Sequence, residues 1–134
     1  MIAIDTNVLV YAHRKDSPHH DKAHELLHKL VSSPAPFAIP WPCVSEFLAV
    51  TTHPRIYRPP SPTPDALQAI SALVALENTH LICETSNHLE LLTNLVGPGV
   101  IGPKLHDARI AAICLGHGIT ELLTADRDFS YFPK

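Results

Sequence analysis

The sequence predicts an α/β fold, a three-layer sandwich in which a central, mainly parallel sheet of four or five short strands is flanked by helices. Two observations carry this prediction. Short apolar segments alternate with longer amphipathic segments along the chain, which is typical of parallel sheets covered on both faces. The chain has 134 residues, 46% of them hydrophobic and 17% charged, which suits one globular domain over residues 1–134.

The four predicted strands are short apolar runs. They lie at residues 2–4, 37–39, 81–83 and 119–124. Between them, proline, glycine and serine residues mark the connections, and residues 54–64 form a long proline-rich loop. Residues 126–134 are a tail for which the pattern predicts neither helix nor strand.

Six amphipathic segments are predicted as helices. The clearest follows Ser17 and Pro18, a pair typical of a helix N-cap and first turn, and its apolar residues recur at the spacing of one buried helical face. These apolar residues are Ala23, Leu26, Leu27, Leu30 and Val31. The other helices are predicted at 6–13, 42–52, 65–77, 86–95 and 105–115, with Ser86 as an N-cap and Gly116 or Gly118 ending the last.

Composition excludes several classes of protein. The net charge of −3 argues against a protein that binds nucleic acid mainly through a positively charged surface. It does not exclude a nuclease, because a bound metal could supply the positive charge. No apolar run is long enough to span a bilayer, and the N-terminus has no leader pattern, so we expect a cytoplasmic protein without a membrane partner. The three cysteines form no Cys-x-x-Cys pair and are expected to pack as small hydrophobic residues.

Acidic residues stand at the ends of apolar segments in four parts of the chain. Asp5 follows the first strand, Glu46 lies on helix 42–52, Asp107 begins the last helix, and Asp126 and Asp128 follow the last strand. Ligands of parallel sheets bind beyond the carboxyl ends of the strands, so Asp5 and Asp126 belong at one edge. Carboxylates near a core need a positive partner, and Mg²⁺ or Mn²⁺ prefers oxygen ligands.

Each acid taken alone has an ordinary structural explanation. Asp5 could cap a helix, Glu46 could be an exposed helix residue, Asp107 could simply complement the dipole of its helix, and the last two acids could belong to a polar turn. Only the joint pattern of all these acids points to chemistry.

Four short blocks resemble one family. Ile-Asp-Thr-Asn-Val-Leu at 4–9, Ser-Glu-Phe at 45–47, His-Asp-Ala at 106–108 and Thr-Ala-Asp-Arg-Asp-Phe at 124–129 are similar to the signature blocks of PIN-domain nucleases. The match is closest to the VapC toxins of bacterial toxin–antitoxin pairs. It covers nearly the full length, and the blocks come in the order that the family has.

The resemblance implies a metal-dependent endoribonuclease held inactive by a cognate antitoxin. By position, Asp5, Glu46, Asp107 and Asp126 match the acidic quartet of the family, Asp128 matches an additional acid, and Asn7 and Thr124 match supporting polar residues. The first three acids would hold one Mg²⁺ or Mn²⁺ ion, and Asp126 with Asp128 would hold a second or orient water. Activated water would cleave RNA in line, leaving a 5′-phosphate. The family also implies a homodimer, for which helices 42–52 and 65–77 are candidate faces.

Basic residues are few, so their positions matter. Arg109 follows Asp107 by two residues, and Arg55 and Arg58 flank Tyr57 in the proline-rich loop. We expect these arginines to contact phosphate and Tyr57 to stack on a splayed base. Arg14 and Lys15 follow the first acidic block and Arg127 lies between the last two acids, so the same role is open to them. Ordinary surface charge is the alternative for all of these residues.

Other chemistries are less well supported. His20, His24 and His28 would share one helix face, but no cysteine accompanies them and no His-Glu-x-x-His occurs, so packing is preferred over zinc. A haloacid-dehalogenase-type phosphatase needs an aspartate where Asn7 stands, and a receiver domain needs an acid pair and a late lysine that are missing. The remaining alternative is a PIN-like module that binds RNA or protein without cutting.

Overall fold

A computed structural model describes residues 1–125 and, for its backbone, residues 131–133. Five strands and six helices are formed by these residues. The strands are β1 (Ile2–Ile4), β2 (Phe37–Pro40), β3 (Thr79–Ile82), β4 (Glu121–Leu123) and β5 (Tyr131–Pro133). The helices are α1 (Thr6–His13), α2 (His20–Ser32), α3 (Trp41–Thr51), α4 (Thr63–Val74), α5 (His88–Leu95) and α6 (Lys104–Gly116).

The sheet has the strand order β3-β2-β1-β4-β5. β1 pairs in parallel with both β2 and β4, and β3 pairs in parallel with β2, whereas β5 runs antiparallel to β4. The predicted α/β class is therefore confirmed, with a mainly parallel five-stranded sheet flanked by helices. Because β1 lies between β2 and β4, the carboxyl ends of these three strands meet at one edge of the sheet.

The core follows from the position of each strand. All four residues of β2 are buried, and in β1 both Ala3 and Ile4 are fully buried. β1 and β2 have neighbours on both sides, and their continuous apolar runs are typical of parallel strands covered on both faces. β3 lies at the edge, and only Ile82 of its residues is buried. Among the described residues, no helix is long and apolar enough to cross a membrane.

Several predicted boundaries were wrong. Ser17 and Pro18 do not begin α2, which starts at His20. Ser17 is buried instead, and its hydroxyl accepts the backbone N–H of His19 at 3.2 Å. Ser86 does not cap α5, which begins after Asn87. Serine is favoured in turns as well as at N-caps, because its hydroxyl bonds the backbone N–H two residues on in either setting.

Two further elements differ from the prediction in extent. α4 begins at Thr63 with a proline in its first turn and ends at Val74, so it starts inside the segment predicted as loop. β3 begins at Thr79 rather than at residue 81, because the whole of β2 pairs with it from Phe37↔Thr79 to Pro40↔Ile82. Backbone pairing with a buried neighbour thus extends this strand through polar residues. Gly118 ends α6 with φ 71°, as predicted.

Candidate active site

The first and last parallel strands place Asp5 beside Thr124. β1 and β4 pair through Ile4↔Leu123, and the N–H of Asp5 donates to the carbonyl of Leu123 at 2.9 Å. The fully buried hydroxyl of Thr124 donates to Oδ2 of Asp5 at 2.9 Å. The other oxygen, Oδ1, accepts the N–H of Thr6 at 2.8 Å. The carboxylate therefore has a fixed orientation at the edge of the sheet.

Asn7 links the same two strand ends. Its amide Nδ2 donates to the Thr124 hydroxyl at 3.3 Å, and its Oδ1 accepts the N–H of Ala125 at 3.0 Å. These two contacts set the orientation of the amide, because its nitrogen can only donate and its oxygen can only accept. The two polar residues singled out in the sequence thus lie in one hydrogen-bonded network with Asp5.

Three carboxylates share one cleft. Asp5, Glu46 from α3 and Asp107 from the first turn of α6 line a volume of about 440 Å³. The lining also includes Asn7 and His106. Asp126 and Asp128, the other predicted acids, lie outside the described residues. Within the described part of the chain, no three His, Cys, Asp or Glu side chains are close enough to form a complete metal site.

The charges in the cleft perturb Glu46. Its pKa is raised, first by partial burial of the carboxyl and then by the negative charges of Asp5 and Asp107, while His106 and Thr6 act in the opposite direction. Glu46 itself is exposed toward the cleft, so solvent weakens this effect. A carboxyl whose pKa is raised by neighbouring carboxylates favours binding of a cation, which offsets their negative charge.

Two residues near the carboxylates were not recognised from the sequence as part of the site, namely Thr6, which lines the cleft, and Cys43, which contacts Asp5. Thr6 has the pattern of a helix cap, yet its hydroxyl is buried in the cleft wall without a hydrogen-bond partner among the described residues. Cys43 is fully buried, and its thiol donates to Oδ1 of Asp5 at 4.0 Å. Burial raises the pKa of this thiol to about 12, so it stays protonated. A buried polar atom and a carboxylate with a raised pKa both fit a site that binds a hydrated divalent cation.

The arginines predicted to contact phosphate, Arg109, Arg55 and Arg58, do not line the cleft. Arg109 donates two hydrogen bonds to Glu84, at 2.7 and 3.0 Å. Arg55 and Arg58 are exposed on the proline-rich loop. No arginine lines the cleft among the residues described. Contact between Arg109 and phosphate would therefore require this side chain to leave Glu84.

The proline-rich loop forms an ordered wall of the cleft. Ile56 and Tyr57 both line it. The guanidinium of Arg14 lies 4.4 Å from the centre of the Tyr57 ring and donates to the carbonyl of Pro59 at 2.9 Å and to Ser61 Oγ at 3.1 Å. Arg14 also pairs with Asp16 at 2.7 Å, with only 12% of its side chain exposed. Arg14 therefore holds the loop in place rather than facing a ligand.

The three histidines of α2 stack along its surface. Ring centres of His20 and His24 are 5.5 Å apart, and those of His24 and His28 are 6.4 Å apart. The ring of His20 donates through Nδ1 to the carbonyl of Tyr11 at 2.9 Å. These contacts agree with the packing interpretation, which the sequence favoured over zinc.

Comparisons with known proteins agree with this geometry. The family model described as "PIN domain" matches residues 2–134. A VapC ribonuclease of Mycobacterium bovis is 33% identical over 135 aligned residues, which cover 100% of this chain and 91% of that protein. The solved structure of VapC20 from Mycobacterium tuberculosis, titled a sarcin-ricin loop cleaving toxin, has a TM-score of 0.70 at 18% identity and covers 96% of this chain and 92% of its own.

A second solved structure, titled a toxin-antitoxin complex from Klebsiella pneumoniae, has a TM-score of 0.60 at 20% identity and covers 96% of this chain and 89% of its own. At such identities the two structures support the fold alone. Membership of a family is supported by the full-length relative at 33% identity and by the family model. The chain therefore belongs to the PIN-domain family and, within it, to the VapC ribonucleases.

Proposed function

We propose that the cleft is the catalytic site of this ribonuclease and that Asp5, Glu46, Asp107 and Asp126 bind Mg²⁺ or Mn²⁺ there, with Asp128 assisting. The observation that carries the proposal is the meeting of Asp5, Glu46 and Asp107, from three separate elements, in one cleft. PIN-domain ribonucleases depend on divalent metal ions, and the hard oxygen ligands of this cleft favour Mg²⁺ or Mn²⁺ over softer ions.

The protein contributes orientation more than reactive groups. Thr124 and the N–H of Thr6 each bond one oxygen of Asp5, which sets the direction in which that carboxylate would meet a cation. When bound, the metal would lower the pKa of a water molecule and offset the negative charge of the phosphate. Asn7 keeps the ends of β1 and β4 together, which would hold Asp5 in place at this edge of the sheet.

The apolar side of the cleft suits a nucleobase. Tyr57 and Ile56 face it from the loop, and Tyr11 faces it from α1. Since the chain carries a net charge of −3, stacking and apolar contact would supply much of the affinity for RNA. Arg55 and Arg58 remain proposed phosphate contacts at the outer end of the same loop.

The partners are proposed from the family and from exposed apolar surface. A cognate antitoxin would hold this chain inactive, as the toxin-antitoxin complex among the similar structures suggests. A homodimer would use α5 and the start of α6, because α5 buries none of its residues and Leu89, Ile101 and Leu105 are exposed nearby. A cytoplasmic location also remains a prediction.

The decisive experiment is Asp5→Asn in an RNA cleavage assay with Mn²⁺ and a chelator control. Residues that merely support metal ligands are worth about 10–100-fold in activity, so loss of a ligand should reduce cleavage by at least that factor while the fold remains intact by circular dichroism. Asp21→Asn, on the exposed start of α2, is the matched control and should cut normally.

Two results would contradict the proposal. Full cleavage by Asp5→Asn would remove the cleft from the mechanism. RNA that binds the wild-type protein but is never cut in Mn²⁺ would instead favour a binding module.

A further inference from the structure

Thr6 presents a polar group that the proposed chemistry has not used. Its side chain is 6% exposed, it lines the cleft, and Oγ1 has no hydrogen-bond partner in the described part of the chain. A buried hydroxyl left unpaired has a cost in stability, because it has lost its hydrogen bonds to water. A valine would fill nearly the same volume without that cost, so the hydroxyl calls for an explanation.

The neighbours of Thr6 indicate where its proton can go. The hydroxyl and Glu46 line the same cleft, and Cys43 contacts Asp5, the residue before Thr6, although Oγ1 of Thr6 completes no hydrogen bond among the described residues. Cys43 is a protonated thiol that donates to Asp5, and thiol sulfur is a weak acceptor. Both oxygens of Asp5 already accept hydrogen bonds, and α3, which carries Glu46, packs against α1, so the Glu46 carboxylate is the acceptor that the geometry favours.

Another threonine at the same edge already makes the equivalent contact. Thr124 donates its hydroxyl to Asp5 at 2.9 Å. Hydrogen bonds of this kind orient metal-binding carboxylates and raise the affinity of the site. Thr6 lines the same cleft as Glu46, with its position set by the first turn of α1.

We propose that Thr6 is a positioning residue whose hydroxyl donates to the carboxylate of Glu46 when a divalent cation occupies the cleft. An ionised carboxylate is a strong acceptor, and the hydroxyl would fix the direction in which Glu46 meets the cation. The inference rests on the proposed function, since it assigns a role toward the same ion.

The test is the affinity for Mn²⁺ alone, measured by isothermal titration calorimetry, together with RNA cleavage. Thr6→Val keeps the shape and removes the hydroxyl, so Mn²⁺ binding should weaken by about 10–100-fold. Thr6→Ser should restore most of that loss because it returns the hydroxyl. Thr93→Val, on the exposed side of α5, is the matched control and should bind Mn²⁺ normally.

A double-mutant cycle identifies the acceptor. In a Glu46→Gln background, Thr6→Val should cause little further loss of Mn²⁺ affinity, because the charged partner is already gone. Should Thr6→Val fail to fold, Thr6→Ala carries the same expectation.

Failure of the inference and failure of the proposed function give different results. Wild-type affinity in Thr6→Val, with binding lost in Asp5→Asn, would overturn the role of Thr6 and leave the metal site standing. Equal losses with and without Glu46 would also overturn it. A wild-type protein that neither binds Mn²⁺ nor cuts RNA would overturn both.

Discussion

Helices α1 and α5 are both eight residues long, but they differ in how much of their surface is buried. α1 buries five residues, namely Thr6, Val8, Leu9, Val10 and Ala12, whereas α5 buries none. α1 packs against α2 and α3 beside the sheet, while α5 packs on α6. A short helix gains most of its stability from the face it buries, so α1 is fixed by the core and α5 must be held in another way.

Contacts at the start of α5 provide that support. Glu84, just before the helix, pairs with Arg109 at 2.7 Å, and His117 donates through Nε2 to the carbonyl of Cys83 at 2.9 Å. Gly116 lets the end of α6 approach Thr85 closely. These contacts are polar or steric, and most are exposed. α1, which lines the proposed catalytic cleft, is held by the core, whereas α5 is held by its packing on α6 and by these contacts at its start.

The comparison is tested most strongly by the same substitution in the two helices. Leu9 is 3% exposed and Leu89 is 75% exposed. Leu9→Ala should lower the free energy of unfolding by about 2–5 kcal/mol, whereas Leu89→Ala should change it by less than about 0.5 kcal/mol. Urea denaturation of the two variants measures both values.

The Leu89 variant also tests the proposed dimer. Leu89→Ala should weaken self-association in analytical ultracentrifugation without loss of folding. Equal destabilisation by the two leucines would mean that α5 is as deeply packed as α1. Unchanged association would move the dimer contact to α3 or α4, the faces that the sequence suggests.

Gly116→Ala should have the next largest effect. A Cβ atom at this position would lie 2.5 Å from Oγ1 of Thr85, and overpacking of this kind costs about 1–3 kcal/mol. Alanine is favoured in helices by about 1 kcal/mol, so the net loss in thermal or urea denaturation should be modest. In a Thr85→Ala background the loss should disappear. A persistent loss there would show that close approach to Thr85 is not the reason for the glycine.

The smallest effect concerns the pH dependence of stability on the α1 side. The raised pKa of Glu46 means that the folded state holds this proton more tightly than the unfolded state, whose value is near 4.5. Its contribution to stability is complete below that pH and is lost as the pH rises through the raised pKa. In chelator, Glu46→Gln should therefore gain stability relative to wild type as the pH increases from about 4.5.

Adding Mn²⁺ should reverse that order, because the ion stabilises the wild-type fold by linkage. Urea denaturation across the pH series, with and without Mn²⁺, measures the difference. A constant difference between the two proteins at every pH would show that Glu46 has an ordinary pKa.

Much of the architecture could be predicted from local patterns. Strands β1 and β2 and helices α1 and α6 were located to within a few residues because each has a continuous apolar face or run. The rule that parallel strands share their carboxyl ends predicted that Asp5 lies at the edge where the last parallel strand ends, and the family resemblance predicted Thr124 as a supporting polar residue. The start of β3 could not be predicted, because Thr79 is in the strand only through its pairing with Phe37.

The hydrogen-bond partners of the long basic side chains could not be predicted either, because these partners are distant in the sequence. Arg14 looked like a basic residue near the active site, but it bonds Pro59 and Ser61 more than 40 residues along the chain. Arg109 likewise donates to Glu84, which is also distant in the sequence. Sequence spacing cannot reveal which of several acids or carbonyls a long cation meets, whereas the residue types that line the cleft were largely evident.

The hydrogen bond from Thr124 to Asp5 joins positions 119 apart in the chain. A protein made from its N-terminus onward cannot form that bond until its final strands have emerged from the ribosome. The nascent polypeptide thus carries Asp5 for most of its synthesis without the support that orients it. The carboxylate proposed to bind the metal therefore acquires this fixed orientation only late in synthesis, once the residues that follow β4 have emerged.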